Sequence, residues 1–159
     1  MKLYHGTNSD FEKIDIGKSK RHKDFGCGFY LTDIHDQALA WAQKRAMLFG
    51  GTPIVQEYEF DESFLDSPSI KSLIFHAPNV EWARFVYNNR SKNTPDFKHG
   101  YDIVVGPIAD DGVAYLLGRY EEGTYSIEEL AKELEFKKLN RQYFFGSEKA
   151  IKLLKRKQP

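Results

Sequence analysis

The chain has one cysteine, no net charge, no repeat and no long apolar run. A single thiol, Cys27, excludes an internal disulfide and any multi-cysteine zinc site, and it suits a reducing compartment. No apolar stretch approaches the roughly 20 residues that cross a bilayer. The opening Met1-Lys2-Leu3-Tyr4-His5 lacks the apolar segment of a signal peptide, so the expectation is a cytoplasmic protein with no membrane partner. No low-complexity tract or Pro/Gly/Ser-rich linker divides the sequence. One domain over 1–159 is expected, large enough to bury roughly 70% of its unfolded surface. What the chain does have is 41% hydrophobic residues, with 12 Phe and 9 Tyr, which is the composition of a packed core and not of a disordered chain.

The zero charge conceals a gradient: residues 1–24 carry +2, 25–108 carry −3, 109–136 carry −6 and 137–159 carry +7. The basic end (Lys149, Lys152, Lys155, Arg156, Lys157) reads in two ways. It offers a surface to nucleic-acid phosphates or an acidic partner, or it is a solvated helix face with a frayed tail.

Periodicity predicts strands at Leu3–His5, Phe29–Thr32, 54–60, 70–75, 101–105, 114–119 and 142–145. Turn formers close the first at Gly6-Thr7, and Gly106-Pro107 closes the fifth. Helices are expected from Thr32 or Asp33 as N-cap to about Phe49, from Asn79 to Asn89, from Ser126 to about Phe136 behind a capping box with Glu129, and after Ser147. Strands with short helices interspersed, without strict alternation, indicate an α+β fold and argue against a Rossmann core.

Three fragments interrupt apolar strands with polar or glycine positions, where function tends to override propensity. In Tyr4-His5-Gly6-Thr7, the histidine can donate and accept hydrogen bonds and the glycine leaves backbone groups open to a ligand; taken alone, a strand-end His-Gly is more often a satisfied turn. In Gly26-Cys27-Gly28-Phe29-Tyr30-Leu31-Thr32, Tyr30 offers a flat ring, and Trp41, eleven residues on, can oppose it across an aromatic ligand, unless both rings simply fill the core. In Leu139-Asn140-Arg141-Gln142-Tyr143, the Gln142 amide can grip a hydroxyl.

Other readings fail on context. Asp24-Phe25-Gly26 matches the kinase metal-binding tripeptide without the accompanying loops. Cys27 is a possible thiolate nucleophile partnered by His5, His22, His76 or His99. Gly-x-Gly alone is no dinucleotide fingerprint, and five scattered histidines predict no metal site.

Together and in this order, the three fragments resemble the ADP-ribosyltransferase superfamily, in its His–Tyr–Glu branch of poly-ADP-ribose polymerases and diphtheria toxin. His5-Gly6-Thr7 is similar to the first motif. Gly26 to Asp33 is similar to the second, with Ala38 and Trp41 where polymerases carry serine and a second tyrosine. Gln142 takes the place of the catalytic glutamate. The whole chain also resembles an uncharacterised bacterial family of that superfamily, often encoded beside a small partner as a toxin–antitoxin pair; Asp24 to Thr32, Tyr101 to Asp111 and Gln142 to Leu153 carry that likeness.

The resemblance implies an α+β single-domain fold whose split mixed and antiparallel sheets surround an NAD cleft with short flanking helices. It implies a mono-ADP-ribosyltransferase that uses NAD+, without a metal, to modify a protein, RNA or DNA acceptor. A small antitoxin is the implied partner. His5, Tyr30 and Gln142 would be catalytic, and His5, Gly6, Thr7, Gly28, Tyr30, Trp41 and Gln142 would hold NAD. His5 would bond the adenosine ribose and Gly6 the nicotinamide carboxamide; Tyr30 and Trp41 would sandwich the nicotinamide, and Gln142 would bind its ribose. A neutral Gln142 orients a hydroxyl but supplies no charge and no base. That favours single transfer over polymer growth and leaves Asp102, Asp110, Asp111 and Glu148 as candidate bases. Two other readings stay open: a catalytically silent NAD or ADP-ribose binding module, and a nucleic-acid-binding domain led by the basic C-terminus.

Overall fold

Alternating side chains over Ile54–Glu59 (β3) build the centre of one sheet. β3 pairs antiparallel with Lys2–Thr7 (β1) on one edge and Lys155–Arg156 (β7) on the other. In the computed structural model, which describes residues 1–94, 97–135, 137 and 139–158, a second, four-stranded sheet lies beside it. Its order is Phe29–Leu31 (β2), Arg141–Phe145 (β6), Ile103–Pro107 (β5) and Ser72–Ile74 (β4), antiparallel except for the parallel β4–β5 pair. The fold is therefore α+β, with one antiparallel and one mixed sheet and five described α-helices.

The period of two in β5 and β6 divides the core. Val104 and Phe144 face a helical layer with Phe25, Trp82, Val86 and Leu130. Ile103, Val105, Tyr143 and Phe145 face the other way, packing with Leu3, Leu31 and Tyr58 of the strands next door. The helical layer is Val80–Arg90 (α2), Asp111–Glu121 (α3) and Ile127–Leu134 (α4), while Glu148–Ile151 (α5) leads into β7. Among the described residues no helix is long and apolar enough to cross a membrane.

Several expectations change. Residues 114–119 are helical within α3, not a strand: Asp110 accepts from the Val113 N–H and starts a helix that buries Val113, Leu116 and Leu117. β1 runs through the expected stop because Gly6 and Thr7 pair with Val55 and Ile54. β5 likewise runs through Gly106-Pro107, whose partners are Gln142 and Arg141. Neither Thr32 nor Asp33 caps the helix His35–Phe49 (α1): Ile34 is the N-cap, without a side-chain bond, and the Thr32 hydroxyl accepts from the Ile34 N–H in the turn before it. The Ser126–Glu129 capping box forms with both of its bonds; the expected end at Phe136 lies outside the described residues. The C-terminal tail does not fray at 155–156, where β7 adds to the first sheet.

α1 also buries less than its spacing predicts. Only Ala38 and Ala42 are buried, while Trp41 and Leu48 are 49% and 60% exposed. Small side chains let the helix lie directly on β1, so close that a Cβ on Gly6 would stand 2.0 Å from the Ala38 carbonyl oxygen. Gly6 is therefore fixed by packing as well as by any ligand.

Candidate functional site

Among the described residues one backbone bridge joins the two sheets. Tyr4 and Thr32 exchange backbone hydrogen bonds of 2.7 and 2.9 Å in an isolated bridge. Beyond it β1 and β2 separate, and a cleft of about 920 Å³ opens between them with α1 along one side. That volume is at the large end for a small-molecule site. Because Tyr4 aims both backbone groups toward β2, strand alternation aims those of Gly6 the same way, away from β3 and into the cleft.

The expected residues His5, Gly6, Thr7, Gly28, Tyr30, Trp41 and Gln142 all line this cleft. His5 stacks at 4.4 Å on Phe29 and meets Phe11 edge-on. Its Nδ1 is 2.8 Å from the Tyr30 carbonyl oxygen, which only accepts, so Nδ1 carries the hydrogen. Burial pushes the imidazole pKa down to about 4, against the hydrogen bond to Tyr30 and with help from Lys23 and Arg45. The ring is neutral at physiological pH, and Nε2 is left as an acceptor.

Tyr30 offers its ring and not its hydroxyl. The phenol donates to the Gly26 carbonyl at 2.6 Å and accepts from the Phe25 N–H at 3.1 Å. Burial raises its pKa well above the ordinary value. Phe144 and Phe25 pack against the ring, and the Lys23 ammonium sits 4.7 Å from its centroid. Trp41 makes no ring contact with Tyr30 among the described residues; each lines the cleft from its own element. Gly28 has a packing reason, since a Cβ there would lie 2.2 Å from the Phe144 ring. Thr7 closes a turn, its hydroxyl donating to the Ser9 carbonyl.

Gln142 is 8% exposed, and its amide nitrogen is fully engaged: it donates to Asp24 Oδ2 at 2.9 Å and to the Pro107 carbonyl at 3.3 Å. Both partners are acceptors, so the orientation of the amide is fixed. Oε1 takes no hydrogen bond from a described residue. Asp24 also accepts from the Ala109 N–H at 2.9 Å, and the Arg90 guanidinium lies 3.5 Å from its other oxygen. Asp24 thus sets Gln142 as an acceptor.

Sequence reasoning missed Asp24, Arg90 and Lys23 as cleft residues. Asp24 had one visible signal: it is an acid that ends the cationic stretch over 18–23, just before the glycine-flanked strand. The bases expected instead do not line the cleft. Asp102 accepts from the Lys71 N–H and pairs with Lys149, Asp110 caps α3, Asp111 opens its first turn, and Glu148 opens that of α5. Cys27 shares its thiol hydrogen between the Ile16 and Ser19 carbonyls, and among the described residues it bonds no histidine. His99 is structural: its Nε2 bonds the Phe25 carbonyl, and its Nδ1 accepts from the Tyr101 N–H. Among the described residues no cluster of His, Cys, Asp or Glu could hold a metal ion.

Three cations of the basic C-terminus are engaged by the fold. Arg156 bonds Asp10 and the Phe11 carbonyl, Lys157 bridges Glu57 and Glu59, and Lys149 meets Asp102.

Residues 1–156 match the family described as protein of unknown function (DUF3990), and the chain belongs to that family. No curated protein and no solved structure matches it.

Proposed function

We propose that this DUF3990 member is a mono-ADP-ribosyltransferase that takes ADP-ribose from NAD+ and passes it to a macromolecule. The observation that carries the reading is the convergence of His5, Gly6, Tyr30 and Gln142 on one cleft, from strands 25 to 137 residues apart in sequence. The donor set suits the ligand. An acceptor nitrogen and an acceptor oxygen fit the two ribose diols, a paired N–H and C=O fit a carboxamide, and an aromatic face fits a pyridine ring. Lys18, Lys44 and Arg45 line the cleft for the pyrophosphate.

NAD+ supplies a glycosidic bond whose cleavage leaves positive charge on the ribose, while nicotinamide departs with the bonding electrons. The chain's part is to hold the ring and orient the ribose before that charge develops. His5 and Gln142 accept from hydroxyls. Asp24 keeps the Gln142 oxygen turned toward the ribose and places a carboxylate behind it, partly balanced by Arg90. Gln142 lacks a charge of its own, which favours one transfer over chain growth. The split-sheet ADP-ribosyltransferase fold, the cytoplasmic location and a growth-inhibiting role held in check by a small antitoxin belong to the same proposal.

Labelled NAD+ incubated with a cell extract tests it. Wild type transfers label and releases nicotinamide, while His5→Ala, Tyr30→Ala and Gln142→Ala each lose at least tenfold. Equal labelling by all four proteins would place the chemistry elsewhere. Binding of NAD+ without nicotinamide release would support the silent-module reading, which the neutral Gln142 favours.

A further inference from the structure

We propose that the acceptor at this site is a single-stranded nucleic acid, held by the loop over 17–23 and the face of α1 that carries Trp41, Lys44, Arg45 and Phe49. The proposal rests on the cleft being the ADP-ribose donor site.

The loop places Lys18, Lys20, Arg21 and Lys23, with His22, in six consecutive positions without an acid. None of the four cations forms an ion pair among the described residues. Lys20 and Arg21 are exposed and outside the cleft lining, while Lys18 and Lys23 belong to it. Lys44 and Arg45 bring two more positive charges from α1. The loop and helix cations are close enough to act on one another: the Lys23 pKa is lowered by burial first, then by Arg45 and Lys20. Six cations gathered at one rim exceed the two charges of a pyrophosphate. The excess attracts a polyanion.

Exposed rings decide which polyanion. Trp41 and Phe49 are 49% and 65% exposed, and each has a cation over its face, Lys44 at 5.6 Å and Arg45 at 5.6 Å. Positions 41, 44, 45 and 49 follow one face of the helix. Rings alternating with cations match unpaired bases on a phosphate chain, where each base offers a face to stack. A duplex hides those faces, and an acidic polypeptide would use the charges and leave the rings idle. In the transfer, a base nitrogen or terminal phosphate oxygen of the strand forms a bond to C1′ of the ribose as the C1′–nicotinamide bond breaks. Nicotinamide keeps the electron pair and any proton on the attacking atom passes to solvent.

Fluorescence anisotropy of the full chain with a labelled mixed-sequence single strand, the matching duplex and polyglutamate tests the surface, alongside transfer from labelled NAD+ to the strand. The single strand should bind best, with log affinity falling against log salt at a slope of about −3, as four phosphate contacts require. Lys20→Gln with Arg21→Gln should weaken binding at least tenfold and flatten the slope by about 1.4. Phe49→Ala should weaken it about fivefold or more. Both variants should keep wild-type NAD+ affinity, and Lys157→Gln should bind the strand as wild type does. Equal affinity for polyglutamate, or label that resists nuclease and yields to protease, overturns the proposal and leaves the donor site standing. Strand binding with these dependencies in a protein that never cleaves NAD+ supports the surface and overturns the donor-site reading alone.

Discussion

The two basic segments of this chain carry similar side chains to opposite ends. The C-terminal one has the larger excess, yet three of its five cations over 149–157 face carboxylates: Arg156 meets Asp10, Lys157 meets Glu57 and Glu59, and Lys149 meets Asp102. The loop over 17–23 has fewer cations and no described acid paired to them. The difference comes from neighbours brought in by the fold. β7 is pinned along β3, whose Glu57 and Glu59 are next to it, whereas the loop leaves the sheet and crosses the cleft mouth. Net charge along a sequence therefore measures what is available for folding and for ligands together. Only the pairing separates them.

The sharpest way to break the comparison is to remove an acid from the loop's own end. Asp24→Ala leaves the Ala109 N–H and Arg90 without their partner and the Gln142 amide with only the Pro107 carbonyl, and should cost about 3 kcal/mol of stability in urea unfolding. A loss under about 0.5 kcal/mol would mean that the network does not hold the cleft together. Asp24→Asn keeps an acceptor for the amide, so it should recover most of that stability while transfer stays reduced. In the C-terminal segment, Arg156→Ala removes the guanidinium from Asp10 and from the Phe11 carbonyl, and should cost about 1 to 2 kcal/mol. Lys20→Gln with Arg21→Gln should stay within about 0.5 kcal/mol of wild type, because nothing in the fold rests on them. If thermal melts rank these two variants the other way, the loop cations are structural and the contrast fails.

How far the sequence could go follows the same division. Strand alternation over 54–60 and the Ser126–Glu129 box were legible because their causes are local. Residues 114–119 were not, since a short apolar run, here Ala114 to Leu117, suits a strand or a buried helix equally until Asp110 caps it. The seven expected cleft residues were found through a resemblance between fragments, and nothing in 159 letters brings positions 5, 30 and 142 together. Asp24 stayed hidden because its partner, Gln142, is 118 residues away. The engagement of Arg156 is a contact over 146 residues and was invisible for the same reason.

His5 gives the finest test of the contrast, because it senses the loop and not the C-terminus. Its pKa is about 4 in the folded chain against an ordinary 6.5. Above pH 6.5 both folded and unfolded chains carry it neutral. As the pH falls below that, the unfolded chain takes up the proton first, so stability declines between about 6.5 and 4 and then levels. The loss amounts to at most about 3 kcal/mol, and the lowered pKa of His99 acts in the same direction. His5→Gln should remove the larger part of this slope in urea unfolding measured against pH. Lys23 and Arg45 are among the causes of the depression, after burial, whereas no C-terminal cation is. Lys23→Gln should therefore move the His5 titration slightly upward when its imidazole carbons are followed by NMR, and Lys157→Gln should leave it in place. Equal movement in both variants would mean that the loop's field reaches no deeper into the cleft than that of the paired segment.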